Sequence, residues 1–124
     1  MGERERIILI EDSRFVREGL RRWFEFDGHQ IIGEAGSLEE AQVLVDNGGF
    51  SVAIVDGGFP EKTGSGKVSR GAGSAVSALI RQRREKKGER ITIISFSLGD
   101  VSFGDHNPGK VASPGELSKI IRNF

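Results

Sequence analysis

The chain has no cysteine among its 124 residues, and this absence removes several classes of chemistry. Without thiols there is no disulfide framework, no thiolate metal site and no cysteine nucleophile. The absence also suits a reducing compartment. The segment Met1–Arg6 is charged and lacks the long apolar run of a signal peptide or a membrane span. We therefore expect a soluble, cytoplasmic protein that does not bind a membrane.

The chain also lacks an excess of either charge, since 18 Lys and Arg residues balance 18 Asp and Glu residues. A protein that binds nucleic acid usually carries a basic surface, which this balance does not indicate. The basic cluster between Arg81 and Lys87 is typical of a solvent-exposed helix face. We expect no nucleic-acid partner. The length suits a single domain, and we predict one domain over residues 1–124 without an output domain.

Strand and helix patterns alternate along the chain. Short apolar runs predict buried strands, and apolar residues at helical spacing predict helices between them. Two Ser-x-x-Glu capping boxes mark helix starts at Ser37 and Ser113. Parallel strands joined by helical crossovers give a doubly wound α/β fold. The predicted strands are 7–10, 30–35, 52–55 and 91–96, and the predicted helices are 13–27, 37–46, 74–87 and a last one from Pro114.

The segment Gly57–Gly73 interrupts this alternation with a long stretch rich in Gly, Ser and Lys. Long loops of this kind are either functional or mobile, and the sequence does not indicate whether this one is a lid, a docking surface or disordered. Within it, Thr63–Val68 superficially resembles a phosphate-binding loop. It lacks the first glycine of that motif and the Ser or Thr after the lysine, so we predict a flexible loop over these six residues. A nucleotide-binding α/β protein is therefore the weakest of the functions considered.

Three carboxylates follow predicted strands at their carboxyl ends: Glu11, Asp12 and Asp56. In a doubly wound sheet, ligands bind beyond these ends of the central strands. Clustered carboxylates repel one another unless a cation neutralises them, and an all-oxygen ligand set favours Mg²⁺. A carboxylate beside such an ion can also attack phosphorus and form an aspartyl phosphate. The three residues predict a magnesium site with phosphoryl-transfer chemistry.

Three segments resemble the receiver domains of response regulators, the phospho-acceptor proteins of two-component systems. Residues 8–20 look like the opening of these receivers, with the acidic pair in place. Val52–Asp56, followed by Pro60, is similar to their phospho-acceptor strand. Lys110–Leu117 resembles the segment in which the family's lysine precedes the last helix. The resemblance implies a five-stranded flavodoxin-like sheet of strand order 2-1-3-4-5.

The resemblance also implies a role for each matching residue. Asp56 would be the nucleophile that takes a phosphoryl group from a histidine kinase or a phosphotransfer protein, and the chain would catalyse this transfer and its own later dephosphorylation without being a dedicated enzyme. Asp12, Glu11, Asp56 and the backbone carbonyl of Gly58 would bind Mg²⁺. Lys110 would contact the phosphoryl oxygens. The switch hydroxyl would be Ser97, with Ser95 as the alternative.

The chain departs from the family pattern after Asp56. The stretch between Ser97 and Lys110 is short, which predicts a reduced or absent fourth helix and a weak fifth strand. Asn107 stands where the family has its aromatic switch residue. These changes leave open an alternative function, a receiver-fold interaction module that works without phosphorylation. Glycine at positions 58 and 99 would leave the path of water to the phosphoryl group open and make dephosphorylation fast. The downstream protein target is not indicated by the sequence.

Overall fold

The computed structural model of the chain describes residues 4–97, 102–109 and 114–122. Strands and helices alternate through most of this range, as the sequence pattern predicts. None of the described helices is both long and apolar enough to cross a membrane. The strands are β1 (Arg6–Ile10), β2 (Gln30–Ala35), β3 (Val52–Val55), β4 (Phe59–Pro60), β5 (Val68–Ser69) and β6 (Thr92–Ser95), and the helices are α1 (Arg14–Phe26), α2 (Leu38–Asn47), α3 (Ala72–Lys87) and α4 (Pro114–Arg122).

Four parallel strands form the main sheet in the order β2-β1-β3-β6. Successive residues of a strand point to opposite faces, so each strand contributes to two separate apolar clusters. In β1, Ile7 and Leu9 join the cluster that contains residues of α1 and α4, whereas Ile8 and Ile10 join the one that contains residues of α2 and α3. The sheet is thus covered on both faces, and the doubly wound prediction is confirmed.

Serine side chains start the first two helices. The Ser13 hydroxyl accepts a hydrogen bond from the backbone N–H of Val16 (3.3 Å), and Ser37 accepts one from Glu40 (3.1 Å). Each satisfies a donor that the first turn of a helix otherwise leaves without a partner. The two caps fix the start of α1 directly after the acidic pair and the start of α2 directly after β2.

The segment 57–73 contains a short hairpin. Strands β4 and β5 pair antiparallel, with Phe59 opposite Ser69 and Pro60 opposite Val68. Phe59 is fully buried in the core. The hairpin is also tied to α2, because the Glu61 carbonyl accepts the Glu39 N–H (2.9 Å). Residues 61–67 between the two strands are exposed and belong to neither a strand nor a helix, so the flexible loop expected over Thr63–Val68 stays a prediction.

The fifth strand of the expected sheet is reduced to a single parallel bridge between Ile94 and His106. No helix occurs in the described residues between Ser97 and Pro114, which agrees with the expected loss of the fourth helix. Asp105 fixes this stretch by accepting the N–H of Ile93 (2.8 Å) and pairing with Arg84 (3.0 Å). The fold is a shortened flavodoxin-like sheet whose last strand position is held by a loop.

Candidate phosphorylation and metal site

Glu11, Asp12 and Asp56 come together at the carboxyl edge of the sheet. One carboxylate oxygen of each lies within 4.8 Å of those of the other two. Glu11 and Asp56 are buried, at 2% and 6% exposure, whereas Asp12 is exposed. The structure therefore brings together the three carboxylates that the sequence analysis selected, with one of them open to solvent.

Backbone hydrogen bonds between neighbouring strands place these carboxylates. The Asp56 N–H donates to the Ile10 carbonyl, and the Glu11 N–H donates to the Ala35 carbonyl, each at 2.9 Å. These bonds continue the parallel ladders one residue beyond the strand ends. The side chains also have local donors: Gly57 donates its N–H to Asp56 Oδ1 (2.7 Å), and Ser13 donates its N–H to Glu11 Oε1 (3.1 Å). The acidic edge is thus built on the most buried strands of the molecule.

Arg17 and Gly73 bring two helices close to this edge. The Arg17 guanidinium donates to the Glu11 carbonyl (2.8 Å) and pairs with Glu34 of β2 (3.2 Å). Gly73, in the first turn of α3, donates its N–H to the Gly57 carbonyl (3.2 Å). A Cβ atom at position 73 would overlap the backbone oxygen of Asp56. Sequence reasoning did not single out either residue, because neither belongs to a local pattern.

The donor set fits a hard divalent cation. Three carboxylates whose oxygens lie within 4.8 Å of one another repel each other, and burial of two of them strengthens the repulsion. A divalent cation bound by their oxygens removes that cost, and Mg²⁺ typically takes one or two protein carboxylates and keeps several waters. The exposed Asp12 leaves room for those waters. The residues present therefore fit Mg²⁺.

The two candidate switch serines differ in their surroundings. Ser95 is fully buried in β6, and its hydroxyl donates to Asn107 Oδ1 (2.7 Å). Ser97 follows β6 by two residues and is 9% exposed. Phe96 between them packs in the core cluster with Leu117 of α4. Lys110, the expected phosphoryl-binding lysine, lies outside the described residues.

Gly58 lies against the returning strand of the hairpin. A Cβ atom at this position would lie 3.2 Å from Val68 Cγ1, 3.4 Å from the Ser69 carbonyl oxygen and 3.7 Å from Arg70 Cα. The hairpin is therefore the nearest neighbour of the side chain that Gly58 lacks. Gly99, the other half of the expected path of water, lies outside the described residues. The expectation of open water access stays a prediction.

Curated proteins similar in sequence are transcriptional regulators. The chain is 27% identical over 97 residues to the transcriptional regulatory protein PhoP of Escherichia coli and 26% identical over 97 residues to the transcriptional regulatory protein PmrA of Pectobacterium parmentieri. Each match covers 77% of this chain and 43% of the relative, so the chain spans less than half the length of these proteins. No protein-family profile matches the chain.

Solved structures of receiver domains superpose on nearly the whole chain. A LuxR-family two-component response regulator from Aurantimonas gives a TM-score of 0.74 at 24% identity, covering 98% of this chain and 84% of its own. A CheY-like receiver domain from Methanospirillum hungatei gives 0.73 at 16% identity, with 98% and 93% covered. The Saccharomyces cerevisiae receiver domain of Ssk1, solved with the histidine phosphotransfer protein Ypd1, gives 0.76 at 15% identity, with 98% and 88% covered. The chain therefore has the fold of response-regulator receiver domains, with three carboxylates at the carboxyl edge of its sheet.

Proposed function

We propose that the chain is a phospho-acceptor receiver of a two-component system, with Asp56 as the acceptor. The observation that carries this proposal is the convergence of Glu11, Asp12 and Asp56 within 4.8 Å of one another at the carboxyl edge of a receiver-type sheet. A core-packing requirement does not explain two buried carboxylates at this place.

The reaction is the transfer of a phosphoryl group from a phosphohistidine to Asp56. A carboxylate oxygen of Asp56 forms the new P–O bond, and the P–N bond to the imidazole breaks. The bond's electron pair stays on the nitrogen, which takes a proton. Hydrolysis later adds water, releases inorganic phosphate and restores the carboxylate. The chain itself catalyses both steps, mostly by positioning and by electrostatic stabilisation.

The remaining roles follow from the arrangement around Asp56. Mg²⁺ held by Glu11, Asp12, Asp56 and the Gly58 carbonyl would neutralise charge on the phosphoryl oxygens. Ser97 is the better candidate for the switch hydroxyl, because it follows β6 towards the carboxyl edge, whereas Ser95 is fully buried within the strand. The Lys110 ammonium group would contact the phosphoryl oxygens, as its place in the resembling motif implies.

The proposed donor is a sensor histidine kinase or a histidine phosphotransfer protein. The yeast receiver domain that shares this fold was solved in complex with such a phosphotransfer protein. The proposed output is contact with another protein, and the proposed compartment is the cytoplasm, whose reducing conditions suit a chain without cysteine.

Mass measurement after incubation with acetyl phosphate and Mg²⁺ tests the proposal. Wild type is expected to gain one phosphoryl group, and Asp56→Ala is expected to gain none. Asp46→Ala is the matched control, since Asp46 is an exposed carboxylate on α2 and should leave the gain unchanged. A wild type that stays unmodified, or an Asp56→Ala variant that is modified equally, would contradict the proposal.

The alternative function, a receiver-fold module that acts without phosphorylation, is favoured by one observation. The stretch that normally forms the fourth helix and fifth strand has no helix in its described residues 102–109 and only one bridge to the sheet. Magnesium affinity separates the two functions. An intact acidic site should bind Mg²⁺ with a millimolar dissociation constant, whereas a degenerate one should not bind it measurably.

A further inference from the structure

The hairpin insertion brings a cationic residue, Arg70, to the Gly58 side of the acidic site. The Arg70 Cα lies 3.7 Å from the position of a Cβ on Gly58, two residues after Asp56. Arg70 directly follows β5 and precedes Gly71, the N-cap of α3. Its backbone is therefore fixed between the hairpin and the helix whose first turn contacts the backbone of Asp56.

The Arg70 side chain is exposed and has no hydrogen-bond or ion-pair partner among the residues that the structure describes. Most other described arginines differ in this respect, because they donate a hydrogen bond to a carbonyl or pair with a carboxylate. Those with such a partner are Arg4, Arg6, Arg14, Arg17, Arg21, Arg81, Arg83 and Arg84. A long cationic side chain that starts beside Gly58, two residues after Asp56, and is bound to none of the described residues is available for another anion.

A phosphoryl group on its way to Asp56 is an anion of suitable geometry. Its equatorial oxygens carry the negative charge during transfer, and catalysis depends on donors placed around them. A guanidinium presents several N–H groups in a planar fork that matches a phosphate. Because Gly58 has no side chain, the Arg70 backbone can lie close to the chain that follows Asp56.

We propose that Arg70 is a further catalytic residue, which donates N–H groups to the phosphoryl oxygens during transfer to Asp56. This inference rests on the proposed function. Arg70 makes and breaks no covalent bond. With acetyl phosphate as donor, the P–O bond to the acetyl group breaks, acetate leaves with the electron pair, and the new P–O bond forms on Asp56.

The test compares Arg70→Gln with Arg90→Gln. Arg90 is also exposed and also has no partner among the described residues, but it precedes β6 at the opposite edge of the parallel sheet. The initial rate of phosphorylation by acetyl phosphate should fall about three- to tenfold in Arg70→Gln, a range set by charge-assisted hydrogen bonds that solvent partly screens. Arg90→Gln should stay within about twofold of wild type.

Magnesium binding distinguishes a catalytic role from a structural one. Removing a positive charge beside a cation site should leave Mg²⁺ affinity unchanged or make it tighter, measured by competition with Mn²⁺ in electron paramagnetic resonance. A damaged site would bind Mg²⁺ more weakly. Arg70→Lys, which keeps the charge and loses the fork, should fall between wild type and Arg70→Gln in rate.

Equal rates for Arg70→Gln and Arg90→Gln would overturn the inference and leave the proposed function standing. A slower Arg70→Gln that also binds Mg²⁺ more weakly would overturn it as well, because the residue would then act through the structure of the site. A wild type that gains no phosphoryl group would instead overturn the proposed function, and the inference with it.

Discussion

Two helical glycines, Gly73 and Gly19, should respond to the same substitution with opposite signs. An alanine Cβ at position 73 would overlap the Asp56 backbone oxygen and would lie 3.0 Å from both the Cα and the carbonyl oxygen of Gly57. At position 19, in the exposed face of α1, a Cβ would meet no atom within 4 Å. Both variants add one methyl group, so the difference between their stabilities measures the close approach of α3 to the acidic edge.

The magnitudes follow from two opposing effects. Replacing glycine by alanine inside a helix stabilises the fold by about 0.5–1 kcal/mol, mainly through lower entropy of the unfolded chain. Gly19→Ala should show this gain in full. Gly73→Ala gains less, because position 73 lies in the first turn, and it forces backbone atoms apart at an overpacking cost of about 1–3 kcal/mol. We expect a net loss of about 1–2 kcal/mol.

Urea denaturation followed by circular dichroism measures both variants against wild type. Gly19→Ala should raise the midpoint, and Gly73→Ala should lower it, with unchanged slopes. The acceptor site gives a second measurement, since a shifted Asp56 backbone should slow phosphorylation in Gly73→Ala and not in Gly19→Ala. The reasoning would be refuted by a Gly73→Ala variant as stable as Gly19→Ala, because α3 would then have space that the described packing denies it.

Two further substitutions probe the segments that differ most from the family pattern. Ser37→Ala removes both the N-cap of α2 and the 3.0 Å hydrogen bond to Thr63 of the insertion. It should lower the free energy of unfolding by about 1–2 kcal/mol in urea denaturation, as loss of a helix cap does. Asn107→Ala deprives the buried Ser95 hydroxyl of its acceptor and should cost about 1–3 kcal/mol. It should also speed hydrogen exchange of the Ser95 amide, which donates to the His106 carbonyl.

Each of these substitutions has a matched comparison in the chain. Ser65→Ala makes the same truncation at an exposed position of the hairpin and should change stability by less than about 0.5 kcal/mol. Asn107→Asp keeps the acceptor oxygen for Ser95, loses the Nδ2–H bond to the Gly104 carbonyl, and should cost less than Asn107→Ala. Equal losses for Ser37→Ala and Ser65→Ala would show that the cap contributes nothing. Equal losses for the two Asn107 variants would show that the amide donor to Gly104, and not the Ser95 bond, holds the loop.

The local patterns of the sequence were sufficient for most of the fold. The apolar run 52–55 and the capping serine at position 37 each coincide with an element boundary in the structure. These two patterns predict the boundaries correctly because their causes are local. A strand buried on both faces needs a few consecutive apolar residues, and a helix start needs one side chain that accepts a hydrogen bond from the first N–H groups. The hairpin strands Phe59–Pro60 and Val68–Ser69 are not predictable from the sequence, because strands of two residues have no measurable period. Two glycines between them, Gly64 and Gly66, have positive φ.

The acidic site was predictable for a different reason. Parallel strands end at one edge, so carboxylates that follow them must meet, and Glu11, Asp12 and Asp56 do. What surrounds them was not predictable, since contacts between distant segments leave no periodic signal. Trp23 shows the same limit: it stands at helical spacing from the buried Leu20, but its side chain is 40% exposed and donates its indole N–H to the Ser118 hydroxyl of α4 (2.8 Å).

The stretch 102–109 shows how a weak sequence signal can still specify structure. It has no apolar period, and the structure accordingly gives it one bridge and no strand. Side-chain hydrogen bonds replace the missing backbone bonds of a fifth strand. The Asp105 carboxylate accepts the Ile93 N–H, and Asn107 Oδ1 accepts the Gly104 N–H and the Ser95 hydroxyl. A Cβ on Gly104 would lie 2.8 Å from the Ser95 nitrogen, so only glycine allows the loop this close. The described residues 102–109 are therefore held against β6 by side-chain hydrogen bonds. Under the proposed function, a signal from Asp56 would have to break these bonds or leave by another surface.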